Sequence, residues 1–477
     1  MGRSNIWLKR GLKMAHPDWV LKHKVPNSEI RNFNGKYRLY AITSKWCPEK
    51  KRNKKVTLKQ IGIIDKEFGL IPTGMSRKGR VPKGESKIKS DALLETNFLD
   101  HFEKIEDPRL QRNQLYTVAE ILLVTLLAVI CGAEGWQDVE NYGKSKIDYL
   151  RCYFPYENGI PSDDTVRRFF RAINPDYFKE IFAKWVQCIA NVVNAKVIAI
   201  DGKSSRRTFD KDGNVLHMVS AFASEARVVL AQEKVDDKSN EITAIPLLLE
   251  LFDVKGHIIT IDAMGCQYAI ANKIIGKGGD YIFSLKGNQG SLVEDVELFF
   301  NTPNTKNTCS TATDYDKGHG RIETRTCFVS NSVDWLRKEH KDWETIQSII
   351  RIDSTREVVE KAAKKVTQET RYYISSLKNP TPEVALKAIR DHWGIENTLH
   401  WTLDMSFNED YSRIRKENAP QVMAILRHIA LNVLQQGKLK QKKHKRQSIK
   451  GLRKMCAWDN DTLSELVSKY HRQPESS

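Results

Sequence analysis

Two short apolar runs in this chain end directly in aspartate. Val197-Ile198-Ala199-Ile200 leads into Asp201-Gly202-Lys203, and His257-Ile258-Ile259-Thr260-Ile261 into Asp262-Ala263-Met264. Runs of this composition and length read as buried strands, and the ends of strands are where α/β sheets present ligand-binding groups. Carboxylates emerging from neighbouring strands can bridge two hard cations about 3.5–4 Å apart, an arrangement that serves in-line displacement at phosphorus. A single strand-end aspartate serves equally well as a turn or cap residue, so the pair needs a third member. The candidate is Glu396, inside "AIRDHWGIENTLHWTLDMSFNED", where His392, Glu396, His400 and Asp404 recur every four residues and stay near one helix face. The same spacing sterically permits a separate His/Glu/His metal site, and it also suits a buried hydrogen-bonded network. Asp404, Glu409 and Asp410 follow as supporting or alternate ligands, or as capping and ion-pairing groups.

Around these carboxylates stand candidates for DNA contact. Lys286, Asn288 and Gln289 follow the strand-like "YIFSL" and could hold a phosphate or a displaced strand, or form a solvated turn. His319 and Arg321 in "GHGR" could reach DNA from a hairpin, although Gly-rich hairpin turns look the same. Lys203, His392 and His400 complete this set.

The elements that must position these groups can be read from periodicity. From 193 to 290 the order is strand (Val197–Ile200), strand (Val215–Phe222), strand (Arg227–Gln232), helix (Ile242–Phe252), strand (His257–Ile261), helix (Tyr268–Ile275) and strand (Asp280–Leu285), which is an RNase H-like order. A β-rich insertion is expected at 291–377, and helical text from Pro382 completes the core over 378–437. Before it, 94–192 reads as a helical domain, with one helix apolar on most faces at "TVAEILLVTLLAVICGAEGW" and another capped by Ser162 in "PSDDTVRRFFRAI". The arginines of that second helix fit a recognition helix or an ordinary amphipathic one. Residues 36–74 alternate as a short antiparallel meander, and 74–90 reads as a linker. The expected class is therefore α/β: an RNase H-like core with a β-rich insertion, preceded by a helical domain and a small β-rich basic N-terminal domain.

Charge is unevenly placed. The chain has 77 Lys+Arg against 59 Asp+Glu, net +18. Residues 1–90 hold 23 basic and 6 acidic residues (+17), and Lys438–Lys454 holds nine basic and none acidic (+9), so the remainder is slightly acidic. Two basic arms around an acidic body suit a polyanion partner that exchanges phosphate counterions for Lys and Arg. Residues 438–477 are expected to form a basic C-terminal tail. The eight cysteines form no C-x-x-C pair, which indicates neither a disulfide framework nor a zinc finger. The longest apolar stretch, Ile121–Cys131, is too short to cross a bilayer, and a cytoplasmic protein without a membrane partner is expected.

Five motifs in order, "VIAIDGKSSR", "TIDAMGCQ", "YIFSLKGNQ", "DKGHGRIETR" and "HWGIENTLHWTLDMSFNED", resemble the ISAs1 family of bacterial insertion-sequence transposases, within the DDE group related to IS4. The resemblance spans roughly residues 95–436. It implies that Asp201, Asp262 and Glu396 are the catalytic, metal-binding carboxylates, that two Mg²⁺ or Mn²⁺ ions are the cofactors, and that the fold is an RNase H-like core interrupted before the last Glu. Where the wider IS4 pattern carries Tyr, Arg and Lys around the Glu, this chain has Ile389, His392 and Leu403. The implied activity is binding of terminal inverted repeats, DNA cleavage and strand transfer, by a homodimer or larger assembly on element ends and target DNA. A metal-dependent nuclease of the same fold and a domesticated, non-catalytic DNA-binding protein are the alternatives.

Overall fold

The computed structural model describes residues 17–26, 28–33, 36–47, 52–65, 69–72, 102, 105–109, 114–190, 195–236, 240–302, 308–318, 321–359, 364–441 and 446–467. The chain divides into two units, 1–90 and 91–477. In the first, a short helix α1 (Asp18–Leu21) precedes four antiparallel strands in sequential order, β1 (Ser28–Phe33), β2 (Lys36–Cys47), β3 (Arg52–Asp65) and β4 (Gly69–Pro72). Val20, Ile30, Leu39 and Ile64 make its small core.

The second unit opens with helices α2 (Val118–Cys131), α3 (Trp136–Ser145), α4 (Ile147–Leu150), α5 (Asp163–Ala172) and α6 (Pro175–Ala190). Helix α2 is buried along nearly its whole length, as its unbroken apolar text requires, and is closed at both ends by local chemistry. Thr117 and Glu120 form a reciprocal capping box. Gly132 adopts φ 117°, a left-handed conformation that a glycine reaches without a Cβ clash. Helix α5 starts at the Ser162 cap and buries Val166, Phe169 and Phe170. Its arginines form surface ion pairs, Arg167 and Arg168 with Asp164 of the same helix and Arg171 with Glu417.

The remaining strands build one mixed sheet. They are β5 (Val197–Ser205), β6 (Leu216–Ala223), β7 (Val228–Lys234), β8 (Ile258–Ile261), β9 (Asp280–Leu285), β10 (Ser310–Gly318), β11 (Arg321–Ser330), β12 (Ser348–Val359) and β13 (Lys364–Ser375). Their spatial order is β10-β11-β12-β13-β9-β8-β5-β6-β7. Only β9, β8 and β5 run parallel to their neighbours among themselves, connected through α7 (Glu241–Leu248) and α8 (Tyr268–Gly276). The stretch expected as an insertion, which also holds α9 (Gly290–Asn301) and α10 (Asp334–Glu339), continues this same sheet: β13 pairs antiparallel with β9, Tyr372 opposite Leu285.

Helix α11 (Pro382–Gly394) lies on the sheet, burying Ala385, Leu386, Ala388 and Ile389 against Val197, Ile282 and Ile352. It passes without a break into a π-helical turn (Ile395–His400) and α12 (Trp401–Phe407). The long α13 (Ala419–Lys440) is buried for most of its length and covers the edge strand, where the Asn432 side chain accepts from Val229 N–H and donates to Val229 C=O, both at 2.9 Å. Part of the stretch expected as a basic tail is folded. Helices α14 (Ile449–Trp458) and α15 (Asn460–Val467) bury Leu452, Cys456, Leu463 and Val467, because an apolar stripe runs between the basic residues of α14 and between the polar and acidic residues of α15. No single helix among the described residues is long and apolar enough to cross a membrane.

Candidate active site

The parallel pairing of β5 with β8 sets the two aspartates side by side. Its last aligned pair is Ile200 with Ile261, so Asp201 and Asp262 each stand one residue beyond it. The expectation that both strands stop at the aspartate holds for β8 alone. Strand β5 continues to Ser205 because its other edge stays paired with β6, Asp201 opposite Ser220. Asp262 turns the chain instead, its Oδ1 accepting from the N–H groups of Met264 (3.1 Å) and Gly265 (3.3 Å).

Glu396 stands in the π-helical turn, near enough for its charge to act on Asp201. Hydrogen bonding from i to i+5 widens the turn and keeps residues four apart closer to one face than an α-helix does. The contacts follow that face along the sheet. His392 Nδ1 lies 3.1 Å from Thr260 Oγ1 on β8, His400 Nδ1 3.5 Å from Asp201 Oδ2 on β5, and Asp404 Oδ1 2.8 Å from Lys203 Nζ. Asn408 ends α12 with φ 57° and turns Glu409 and Asp410 back toward the same strand, where Asp410 also meets Lys203 at 3.2 Å and Arg206 at 3.3 Å.

Electrostatics mark the same place. Burial first, then the negative charges of Glu241, Asp262 and Glu396, push the Asp201 carboxyl up to about 8. Asp262 is also raised, by burial and by Glu241, against the backbone bonds and Lys286 that favour its ionised form. Burial pushes His392 down to about 4 and His400 down to about 3, so both rings are neutral at pH 7 and the His400–Asp201 contact is not an ion pair. Burial works against the Lys203 ammonium, yet Asp404, Glu409 and Asp410 together raise it.

Other candidates have different surroundings. Asn288 donates to Ala263 C=O (2.6 Å) and Gln289 to Cys266 C=O (2.7 Å), so both amides brace the loop that carries Asp262. Lys286 follows β9 at the same end of the sheet. Glu409 is buried beside Arg427, 3.6 Å away. Arg321 pairs with Glu323 at 3.0 Å in a groove of about 600 Å³ between β11–β13 and α11. Arg371 stacks over Trp393 at 4.5 Å in this groove, whose lining also includes Glu323, Glu369 and Asn397. His319 lies outside the described residues. Two neighbours escaped the sequence reading: Glu241 at the start of α7, and His217 on β6, whose Nε2 lies 2.9 Å from Glu241 Oε1. Neither sits in a recognisable motif; strand register alone brings His217 here.

Among the described residues no three His, Cys, Asp or Glu side chains converge closely enough to hold a metal ion, and this holds for His392, Glu396 and His400 and equally for Asp201, Asp262, Glu241 and Glu396. The donor set nevertheless fits hard divalent cations. Oxygen ligands carry the site, and the mutual repulsion that raises Asp201 is what a cation between carboxylates relieves.

A mixed α/β sheet whose adjacent parallel strands bring two aspartates toward a helix-borne glutamate is an arrangement suited to metal-dependent phosphoryl transfer. Residues 194–433 match the family described as Transposase DDE domain, and residues 99–186 the family described as DDE_Tnp_1-associated. The chain belongs to the DDE transposases, and it is a DDE transposase enzyme. It is 41% identical over 348 residues to YhhI of Escherichia coli (strain K12), named as an H repeat-associated transposase, covering 72% of this chain and 91% of that one. It is 43% identical over 343 residues to YncI of Escherichia coli O157:H7, also named as a transposase, covering 71% and 87% respectively.

Proposed function

We propose that this protein binds the terminal inverted repeats of an insertion sequence and uses Asp201, Asp262 and Glu396 as its catalytic carboxylates for DNA cleavage and strand transfer. The observation that carries this reading is the placement of Asp201 and Asp262 one residue past the last parallel β5–β8 pair, with Glu396 acting electrostatically on Asp201 from the facing helix. Bound divalent cations, two Mg²⁺ or Mn²⁺, would activate the attacking oxygen and stabilise the leaving one. Asp201 and Asp262 would hold them from the sheet and Glu396 from the π-helical turn. The element order β5-β6-β7-α7-β8-α8-β9 supports an RNase H-like core, extended by β10–β13 before α11 returns with Glu396.

The chain's own groups then order the DNA. Lys203 and Arg206 stand at the β5 end and Lys286 at the β9 end, positions suited to phosphate oxygens. Arg321 and the stacked Arg371–Trp393 pair line a groove that also includes Asn397, the residue after Glu396, a surface suited to a DNA strand. Hydrolysis would free a 3′-OH, and that hydroxyl would attack target DNA by the same in-line displacement, with no covalent protein intermediate. Two element ends have to meet, so a dimer or larger assembly on DNA is expected.

The test is cleavage and joining of a labelled duplex carrying the element's end, with Mg²⁺ or Mn²⁺. Asp201→Ala, Asp262→Ala and Glu396→Ala are each expected to lower joined product by more than about 10²-fold, since losing an outer-shell partner alone costs 10–100-fold. Cutting without joining would point to a nuclease. Specific binding with no chemistry would point to a domesticated DNA-binding protein.

A further inference from the structure

We propose that Glu241 is a fourth carboxylate of the cation site, held by His217 and admitted by the missing side chain of Gly202; this rests on the metal-dependent reading above. Strand alternation puts Asp201 and Lys203 on one face of β5 and Gly202 and Ser204 on the other. On that second face Ser204 and His217 are cross-strand partners, with Ser204 Oγ 2.6 Å from His217 Nδ1. The other ring nitrogen, Nε2, is 2.9 Å from Glu241 Oε1, so the imidazole is fixed at both ends and in turn fixes the carboxylate. Asn240 caps α7 and sets the backbone from which Glu241 projects.

The requirement at 202 is steric. Gly202 has no left-handed φ. A Cβ built there would overlap Glu241 Oε1 and would lie 2.6 Å from Glu241 Cδ and 2.7 Å from His217 Nε2. A side chain at 202 would have to displace the Glu241 carboxylate or the His217 ring, and the glycine leaves both where they stand. From there the Glu241 charge acts on both Asp201 and Asp262, across the end of the sheet where the two strands deliver them. A carboxylate serving only α7, as an acidic first-turn residue paired with histidine, has no need to displace a side chain beside Asp201.

The test is calorimetric titration of the full-length protein with Mn²⁺ in the absence of DNA, comparing wild type with Glu241→Gln, Glu241→Asp, Gly202→Ala and Asp201→Asn. Because the number of charged ligands sets affinity at such sites, Glu241→Gln and Gly202→Ala are each expected to weaken Mn²⁺ binding about tenfold, while Glu241→Asp retains most of it. The Mg²⁺ concentration for half-maximal joining should rise in parallel in Glu241→Gln. Wild-type Mn²⁺ affinity in Glu241→Gln, with binding lost in Asp201→Asn, would overturn the role of Glu241 and leave the three carboxylates standing. Wild-type affinity in Asp201→Asn as well would remove the cation site and this inference with it.

Discussion

Asp201 is held from its ordinary ionisation by burial first and by three facing carboxylates second. Its folded value of about 8 against an ordinary 3.8 means that the folded state keeps a proton the unfolded chain has released, so this group makes stability fall as pH rises through that window. In cation-free buffer near pH 8, Asp201→Asn is therefore expected to melt above wild type by calorimetry. The gap should narrow toward pH 4 and on adding Mg²⁺. A variant melting at or below wild type at pH 8 would contradict the electrostatic account. His428 shows the opposite sign. Burial pushes it down to about 4, its Nδ1 donating to Ala424 C=O at 2.8 Å, so its neutral form gives full stability above the ordinary 6.5 that is lost as pH falls toward 4. On acidification from pH 7 to 5, His428→Leu should lose about 2 kcal/mol less than wild type in urea titrations; equal losses would exclude His428 as the source. The acids Asp201, Asp262 and Glu396 were legible as residues because apolar runs point at two of them. Glu241 was not, since its proximity depends on a glycine on another strand.

Among the elements, the π-helical turn shows where periodicity stops informing. The four-residue recurrence from His392 to Asp404 predicts one face, and the contacts with Thr260, Asp201 and Lys203 lie along such a face. The widened turn at Ile395–His400 carries no signal in the four-residue recurrence that runs through it. The helix α14 was obscured by charge: nine basic residues over Lys438–Lys454 hide its apolar stripe. Arg453 belongs to the interior, donating from Nη2 to Val129 C=O at 2.7 Å at the end of α2 and stacking over Phe407 at 4.1 Å. It satisfies carbonyls that a helix C-terminus leaves open. Arg453→Ala should cost about 2–3 kcal/mol in chemical denaturation, the penalty of stranding buried acceptors; a loss below about 0.5 kcal/mol, typical of a surface change, would place Arg453 outside the fold's support.

At the scale of the whole molecule, basic charge is concentrated at the two ends of the sequence and the sheet unit between carries the acids. Of the nine basic residues over Lys438–Lys454, Arg453 is spent inside the fold and Arg446 also bonds the Gln441 and Leu439 carbonyls, and the charge test falls on the eight other than Arg453. Replacing those eight by Gln is expected to weaken DNA binding broadly and to lower the slope of log affinity against log salt by up to about seven, near 0.9 per phosphate contact. An unchanged slope in filter binding would remove this segment from the interface. The sequence by itself determined the strand and helix order from 197 to 285 and put forward Asp201, Asp262 and Glu396 as candidates, because period-2 and period-3.6 patterns and strand-end acids are local properties. Only the tertiary structure decided that 310–375 extends the same sheet, that β5 runs on past Asp201, that Asn288 and Gln289 brace a loop, and that His217 and Glu241 stand behind Gly202. Each of those depends on which strand edges pair and on space left by residues distant in sequence, and no local pattern encodes either.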